Sequence, residues 1–245
     1  MTNRFIKPSF LFMLAFMCCV SFTLNAQWNK GVKGSGNVIE QNRNLSGFEK
    51  VKASSGVDVV LMQGSQDKVV VKADDNLADK ITTKIDGNIL VVGVERNTSI
   101  RNAKSFKVLV TVSSLKGIMS SGGSDVYSEG SIQADVLEVK ASGGSDLKLD
   151  LNVKELTCDI SGGSDANIKG KAQYMSITAR GGSDFEGKNL TAENCKLKVQ
   201  GGSDAYVYVT GEISMEAHGA SDIHYKGSPK ITYQRSSGGS DIYGN

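Results

Sequence analysis

Through the second half of the chain, apolar and polar residues alternate with a period of two, and the alternation breaks and resumes in step with one tetrapeptide. That tetrapeptide, Gly-Gly-Ser-Asp, ends at Asp125, Asp146, Asp165, Asp184, Asp204, Asp222 and Asp241, with Ala220 replacing the second glycine once. Nine, seven and five residues before five of these aspartates stand Leu137, Val139, Ala141; Leu156, Cys158, Ile160; Met175, Ile177, Ala179; Cys195, Leu197, Val199; and Ile213, Met215, Ala217. Every residue between them is polar, from Glu138 and Lys140 to Ser214 and Glu216. Strict alternation of this kind predicts strands with one buried face. It resumes after the motif at Leu147 and Leu149, Ala166 and Ile168, Ala205 and Val207, Ile223 and Tyr225. Each repeat therefore holds at least two strands joined at a glycine corner.

The aspartates are spaced by 21, 19, 19, 20, 18 and 19 residues. That period is too short for helical repeats or propeller blades and fits a solenoid rung built of strand and turn. Stacking the rungs in parallel explains why one tetrapeptide keeps one phase, because equivalent residues then lie about 4.8 Å apart. Glycine at the corner permits positive φ and close backbone approach. The prediction is an all-β, single-domain parallel β-helix with about 19–20 residues per rung, right-handed by the general preference of parallel crossovers.

Residues 27–117 are less regular. The stretch "ASSGVDVVL" matches "SSGGSDVY" in phase at Gly56 and Asp58, which predicts that the coil starts there. "DDNLADK" reads as a short capped helical turn, "ITTKIDGNILVVGVE" as a hairpin about Asp86-Gly87, and Phe106 to Val112 as a further strand. This part is expected to cap one end of the regular rungs at 118–245, as terminal repeats do.

The N-terminus carries basic Arg4 and Lys7, an apolar run from Phe10 to Val20 and a small-residue exit at "LNA" before Gln27. This is the pattern of a secretory signal over 1–26. The run is too short to span a bilayer, and Cys18 and Cys19 leave with it. Removing Arg4 and Lys7 from the 28 basic residues leaves 26 against 26 acidic ones. A neutral mature chain, with no transmembrane segment and no polybasic run, gives no footprint for nucleic acid or an anionic membrane. The exported chain is expected in the periplasm, on the outer surface or outside the cell. Cys158 and Cys195 fall on inward positions two rungs apart, about 9–10 Å by rung spacing, so both are expected to be free, buried and inert.

With its signal, "GFEKVKASSGVDVVLMQG", "KVLVTVSSLKGIMSSGGSDV" and serial GGSD rungs, the chain resembles the DUF2807 family, the "putative autotransporter adhesin" head (GIN) domain common in Bacteroidetes. The resemblance runs from about Gly31 to Gly244 and implies a right-handed β-helix at the cell envelope or secreted. With no barrel-forming region after Asn245, autotransport itself is not expected.

Two readings of the seven-aspartate ladder compete. Carboxylates about 4.8 Å apart repel by about 3.5 kcal/mol at an effective dielectric of 20 and about 0.9 kcal/mol in water, so bound cations or a glycan could be what offsets them. Alternatively each carboxylate accepts N–H groups of its own glycine corner. A feature shared by every rung is better explained by a need every rung shares, so the second reading is preferred and no cofactor or resident metal is expected. A glycosidase or lyase would need two carboxyl groups in unlike environments, whereas the rungs repeat one environment. His218 and His224 flank Asp222 at outward phase and are expected as surface residues. Tyr206 and Tyr208, also outward, offer a contact surface for a glycan or an envelope protein. The expectation is an exported, non-enzymatic adhesin-like or structural module. A polysaccharide-active β-helix enzyme is the alternative.

Overall fold

A computed structural model of the chain describes residues 31–244. The expected signal segment and cleavage site lie outside them. The described residues form a β-solenoid of about 7 turns. Parallel register runs unbroken through the motif: Leu147 pairs with Ala166, Ala166 with Phe185, Phe185 with Ala205, Ala205 with Ile223 and Ile223 with Ile242.

The rungs are long bent strands, among them Leu147–Ser161, Ala166–Arg180, Phe185–Gly201 and Ala205–Gly219. All fifteen inward residues at nine, seven and five before the motif are buried, with Cys195 the most accessible at 5%. Of the residues after the motif, only Tyr225 is half-buried. Besides the glycine corner, each rung turns where two successive side chains face out, as at Asp135-Val136, Lys154-Glu155 and Gln173-Tyr174. A further bend lies near Gly170, whose φ is +115° and where a Cβ would come within 2.0 Å of the Leu151 carbonyl oxygen.

The rung of the Asp58 motif lies within the parallel stack. Lys50–Ser54 pairs in parallel with Gly117–Ser121, and Asp58–Gln63 with Val126–Ser128. On its other side this rung meets Ile89–Val94 and Phe106–Val112. From there the pairing turns antiparallel, through Lys68–Asp74, Val38–Arg43 and Ile81–Asp86. The hairpin forms, but its turn is Gly87-Asn88, one residue later than expected, with Asp86 still in the strand opposite Ile89. The helical turn is a three-residue 3-10 segment, Ala78–Lys80, and its expected side-chain cap is absent. Asp74, close by, instead ties loops together. Fully buried, it accepts N–H bonds from Gly36 (2.8 Å), Ser105 (3.0 Å) and Lys104 (3.1 Å). Burial pushes its carboxyl up, but these N–H donors outweigh that and hold it below the usual range.

Cys158 and Cys195 are free and buried. Cys158 stacks on Ile177 and Cys195 on Met175, so they occupy different columns of the core. Burial pushes both thiols up to about 12, which removes the reactive thiolate at neutral pH.

Candidate functional site

The glycine corners bring the seven predicted aspartates, with Asp58 as an eighth, into one axial row. Their carboxylates do not serve their own corners. From Asp58 to Asp222 each Oδ1 accepts the backbone N–H of the aspartate on the following rung: Asp146 donates to Asp125 (2.9 Å), Asp165 to Asp146 (3.3 Å), Asp184 to Asp165 (3.0 Å) and Asp204 to Asp184 (2.9 Å). Asp222 donates to Asp204 (3.1 Å), Asp241 to Asp222 (3.0 Å) and Asp125 to Asp58 (3.3 Å). The stacked backbone is the cause. Parallel stacking places the next rung's N–H above the carboxylate, while the aspartate's own carbonyl accepts from the first strand residue of a neighbouring rung, as Asp184 does from Ala166. These charge-assisted bonds, to carboxylates that are exposed or half-buried, offset the repulsion along the row.

The serine of the motif runs the other way, a feature the alternation did not reveal. Ser124, Ser145, Ser164, Ser183, Ser203 and Ser221 are fully buried. The N–H of Ser124 donates to Ser145 Oγ (3.2 Å), that of Ser145 to Ser164 (3.0 Å), that of Ser164 to Ser183 (3.0 Å) and that of Ser183 to Ser203 (2.9 Å). Each of these rungs is thus tied forward through serine and backward through aspartate. The signal was present in the sequence as an invariant serine at an inward position, where an unpartnered hydroxyl would be costly.

The corners change form after Asp184. In the four rungs from Gly122 to Gly182 both glycines have positive φ, whereas in the last three only Gly201, Gly219 and Gly238 do. The second position no longer needs glycine, which is why Ala220 is accommodated. There Ser221 and Ser240 turn inward to the preceding strand, donating to the carbonyls of Val199 (3.2 Å) and Ala217 (3.0 Å).

Beside the aspartates runs a row of outward residues that includes Tyr127, Tyr206, His224 and Tyr243. Tyr206 and His224 stack at 4.5 Å and His224 and Tyr243 at 4.9 Å, while Lys188 Nζ lies 3.7 Å from the Tyr206 ring centre. The two tyrosines expected as a contact surface, Tyr206 and Tyr208, are outward but half-buried, and Tyr206 has both faces occupied. His224 is likewise sandwiched, and His218 Nδ1 lies 2.6 Å from Ser237 Oγ, so neither histidine is a bare surface residue. At the first rungs Tyr127 donates to Asp125 Oδ2 at 3.0 Å; burial, then this bond, pushes its hydroxyl up to about 12. Asp58 lies above the usual carboxylate range, chiefly by burial and further by Asp125, against the pull of the Asp125 N–H and Lys107.

On another side, at the two-residue bend, an open groove of about 770 Å³ runs along the solenoid axis. Its walls include Glu155, Thr157, Tyr174, Glu193, Asn194 and Glu212, with Tyr174 half exposed at its middle. Sequence reasoning missed this site because the two outward residues at each bend interrupt the alternation without a motif of their own. Among the described residues, no group of three or more His, Cys, Asp or Glu is arranged to hold a metal ion, and no helix is long and apolar enough to cross a membrane.

A stack of near-identical rungs, bonded forward and backward at one corner and grooved at another, defines a β-solenoid with a repetitive external surface. The family model described as "Putative auto-transporter adhesin, head GIN domain", DUF2807, matches residues 47–229, and the chain belongs to that family. Among solved structures it is similar to "a putative adhesin" from Bacteroides fragilis, with 25% identity and a TM-score of 0.83 over 88% of this chain and 100% of that one. A "putative adhesin" from Parabacteroides distasonis gives 20% identity and a TM-score of 0.70 over 88% and 100%. A "Putative lipid binding protein" from the same species gives 17% and 0.68 over 87% and 99%. No curated protein matches the chain.

Proposed function

We propose that the chain is an exported, non-catalytic adhesin-like module of the cell envelope, and that its ligand is a glycan seated in the axial groove. The observation that carries this reading is Tyr174, 50% exposed in a groove walled by carboxylates, an amide and a hydroxyl. An aromatic face with flanking polar groups suits a sugar ring, which is apolar on one side and ringed by hydroxyls. Three glutamates in the walls disfavour an acyl chain, which needs an apolar lining. Export is supported by Arg4, Lys7 and the apolar run before Gln27. Against a polysaccharide-cleaving enzyme, the ladder carboxylates of the central rungs, from Asp146 to Asp204, share one bonding pattern, whereas acid–base chemistry needs two that differ.

A glycan array probed with residues 27–245, followed by reducing-sugar assays on every retained glycan, tests this. The expected result is binding without release of reducing ends, weakened at least tenfold by Tyr174→Ala and little changed by Tyr206→Ala. Release of reducing ends would establish the enzyme alternative. Binding lost with Tyr206→Ala and kept with Tyr174→Ala would move the site to the aromatic row.

A further inference from the structure

The outward residues eight, six and four before each ladder aspartate, from Asp58 to Asp241, form three axial columns on one sheet face. One column runs from Lys50 through Glu138 and Thr157 to Lys196, and the next from Lys52 through Lys140 and Thr178 to Lys198 and Arg235. The third runs from Ser54 through Ser161 and Arg180 to Ser237. Eight rungs stacked about 4.8 Å apart give this face a length of roughly 34 Å.

Its 24 positions hold seven lysines and arginines against three acidic residues. That excess of four is larger than the excess of two in the whole chain, 28 basic against 26 acidic residues, so the face gathers positive charge that the rest of the sequence lacks. Its three carboxylates are all taken up within the face. Glu138 pairs with Lys50 (3.3 Å) and Lys140, Asp159 accepts two bonds from Arg180 (2.7 and 2.8 Å), and Glu216 lies 3.7 Å from Lys198. Lys52, Lys196 and Arg235 are exposed, and among the described residues none of them has an ion-pair partner. Nine further positions carry a serine or threonine hydroxyl, and the only large apolar or aromatic side chains are Met119 and Tyr233.

We propose that this face binds an acidic polysaccharide laid along the solenoid axis, at a site separate from the Tyr174 groove. Uncompensated cations spread over several rungs suit carboxylate or sulfate groups repeated along a polymer, and the hydroxyls between them can bond those of the sugar rings. The same composition disfavours other partners. Docking on an anionic bilayer needs apolar and aromatic residues that enter the interface, and a protein interface has a core depleted of charge. Two such side chains in 24 positions supply neither. A neutral total charge hid this face, because parallel register, not sequence proximity, gathers its cations.

Isothermal titration of residues 27–245 with dextran sulfate, polygalacturonate and neutral dextran tests this. At least one of the two acidic polymers is expected to bind, more weakly as salt is raised, and dextran is not. Lys52→Gln/Lys198→Gln/Arg235→Gln should weaken binding at least tenfold. Lys148→Gln/Lys169→Gln/Lys171→Gln, which removes as much charge from the strand segments after the motif, should change it by no more than about twofold. Tyr174→Ala should leave it intact, which separates this face from the groove. Equal losses in the two triple variants would show attraction to net charge alone and overturn the proposal. So would loss of binding in Tyr174→Ala, equal binding of neutral dextran, no binding of either acidic polymer at low salt, or tighter binding of duplex DNA or of phosphatidylglycerol vesicles.

Discussion

Ser183→Ala probes the inner half of the motif. Ser183 is fully buried, and its Oγ accepts two backbone N–H groups of the preceding rung, from Ser164 at 3.0 Å and Gly163 at 3.1 Å. Alanine fits the site and preserves the strand, so the perturbation is confined to two donors left without an acceptor. Water cannot replace the hydroxyl at Ser164, whose own side chain is also fully buried. Each unsatisfied buried donor costs about 1–3 kcal/mol. Gly163 is exposed, so its N–H can turn to water and adds at most the low end of that range, and the two together come to roughly 1–4 kcal/mol. In a domain of this size each kcal/mol moves the midpoint by about 2–4 °C, so the melting temperature should fall by on the order of 10 °C. Thermal unfolding followed by circular dichroism measures this, with the outward Ser176→Ala as control. A loss of less than about 1 kcal/mol in Ser183→Ala would refute the claim that the serines bind rung to rung.

The change in corner form separates two glycines that look alike in sequence. Gly182, at φ +82° with open space around it, should lose about 1–2 kcal/mol on conversion to alanine from backbone strain alone. Gly202, outside the left-handed region and also unobstructed, should tolerate alanine or gain about 0.4–1 kcal/mol in urea titrations. Asp58 gives a pH signature. Its carboxyl is raised in the folded state, so folding is disfavoured progressively as pH climbs from the unfolded-chain value through the folded one. Asp58→Asn keeps an acceptor for the Asp125 N–H and lacks that penalty; it should melt higher than wild type at pH 7 and match it near pH 3. An equal gain at both pH values would show that ionisation is not the cause.

The alternation made the inward face legible because burial on one side of a strand leaves a period of two that local chemistry rarely imitates. Leu137 through Ala217 were placed correctly on that basis, and the register that separates Cys158 from Cys195 followed from it. Hydrogen-bond direction was not legible. Asp184 and Ser183 are adjacent in one tetrapeptide, yet one accepts from the rung after it and the other from the rung before it. Only the stacked backbone decides which N–H lies above which oxygen. The groove around Tyr174 was hidden for a related reason: its residues lie on different rungs, and register, not sequence proximity, assembles them. Tyr206 was assigned to the outer face correctly, but its neighbours Lys188 and His224 lie 18 residues away on either side and left no local sign of the stack.

Above all, the aspartate row is a structural device that joins rungs through backbone N–H groups. Thermal melting of the wild type and of Asp165→Asn/Asp184→Asn/Asp204→Asn, with and without millimolar calcium, tests this most directly. Asparagine keeps an acceptor oxygen on each rung and removes three charges, so the triple variant should melt within a few degrees of wild type, and calcium should shift neither curve. A calcium-dependent rise in the wild type that disappears in the triple variant would show instead that the row is a cation site stabilised by mass action, and would contradict the structural role.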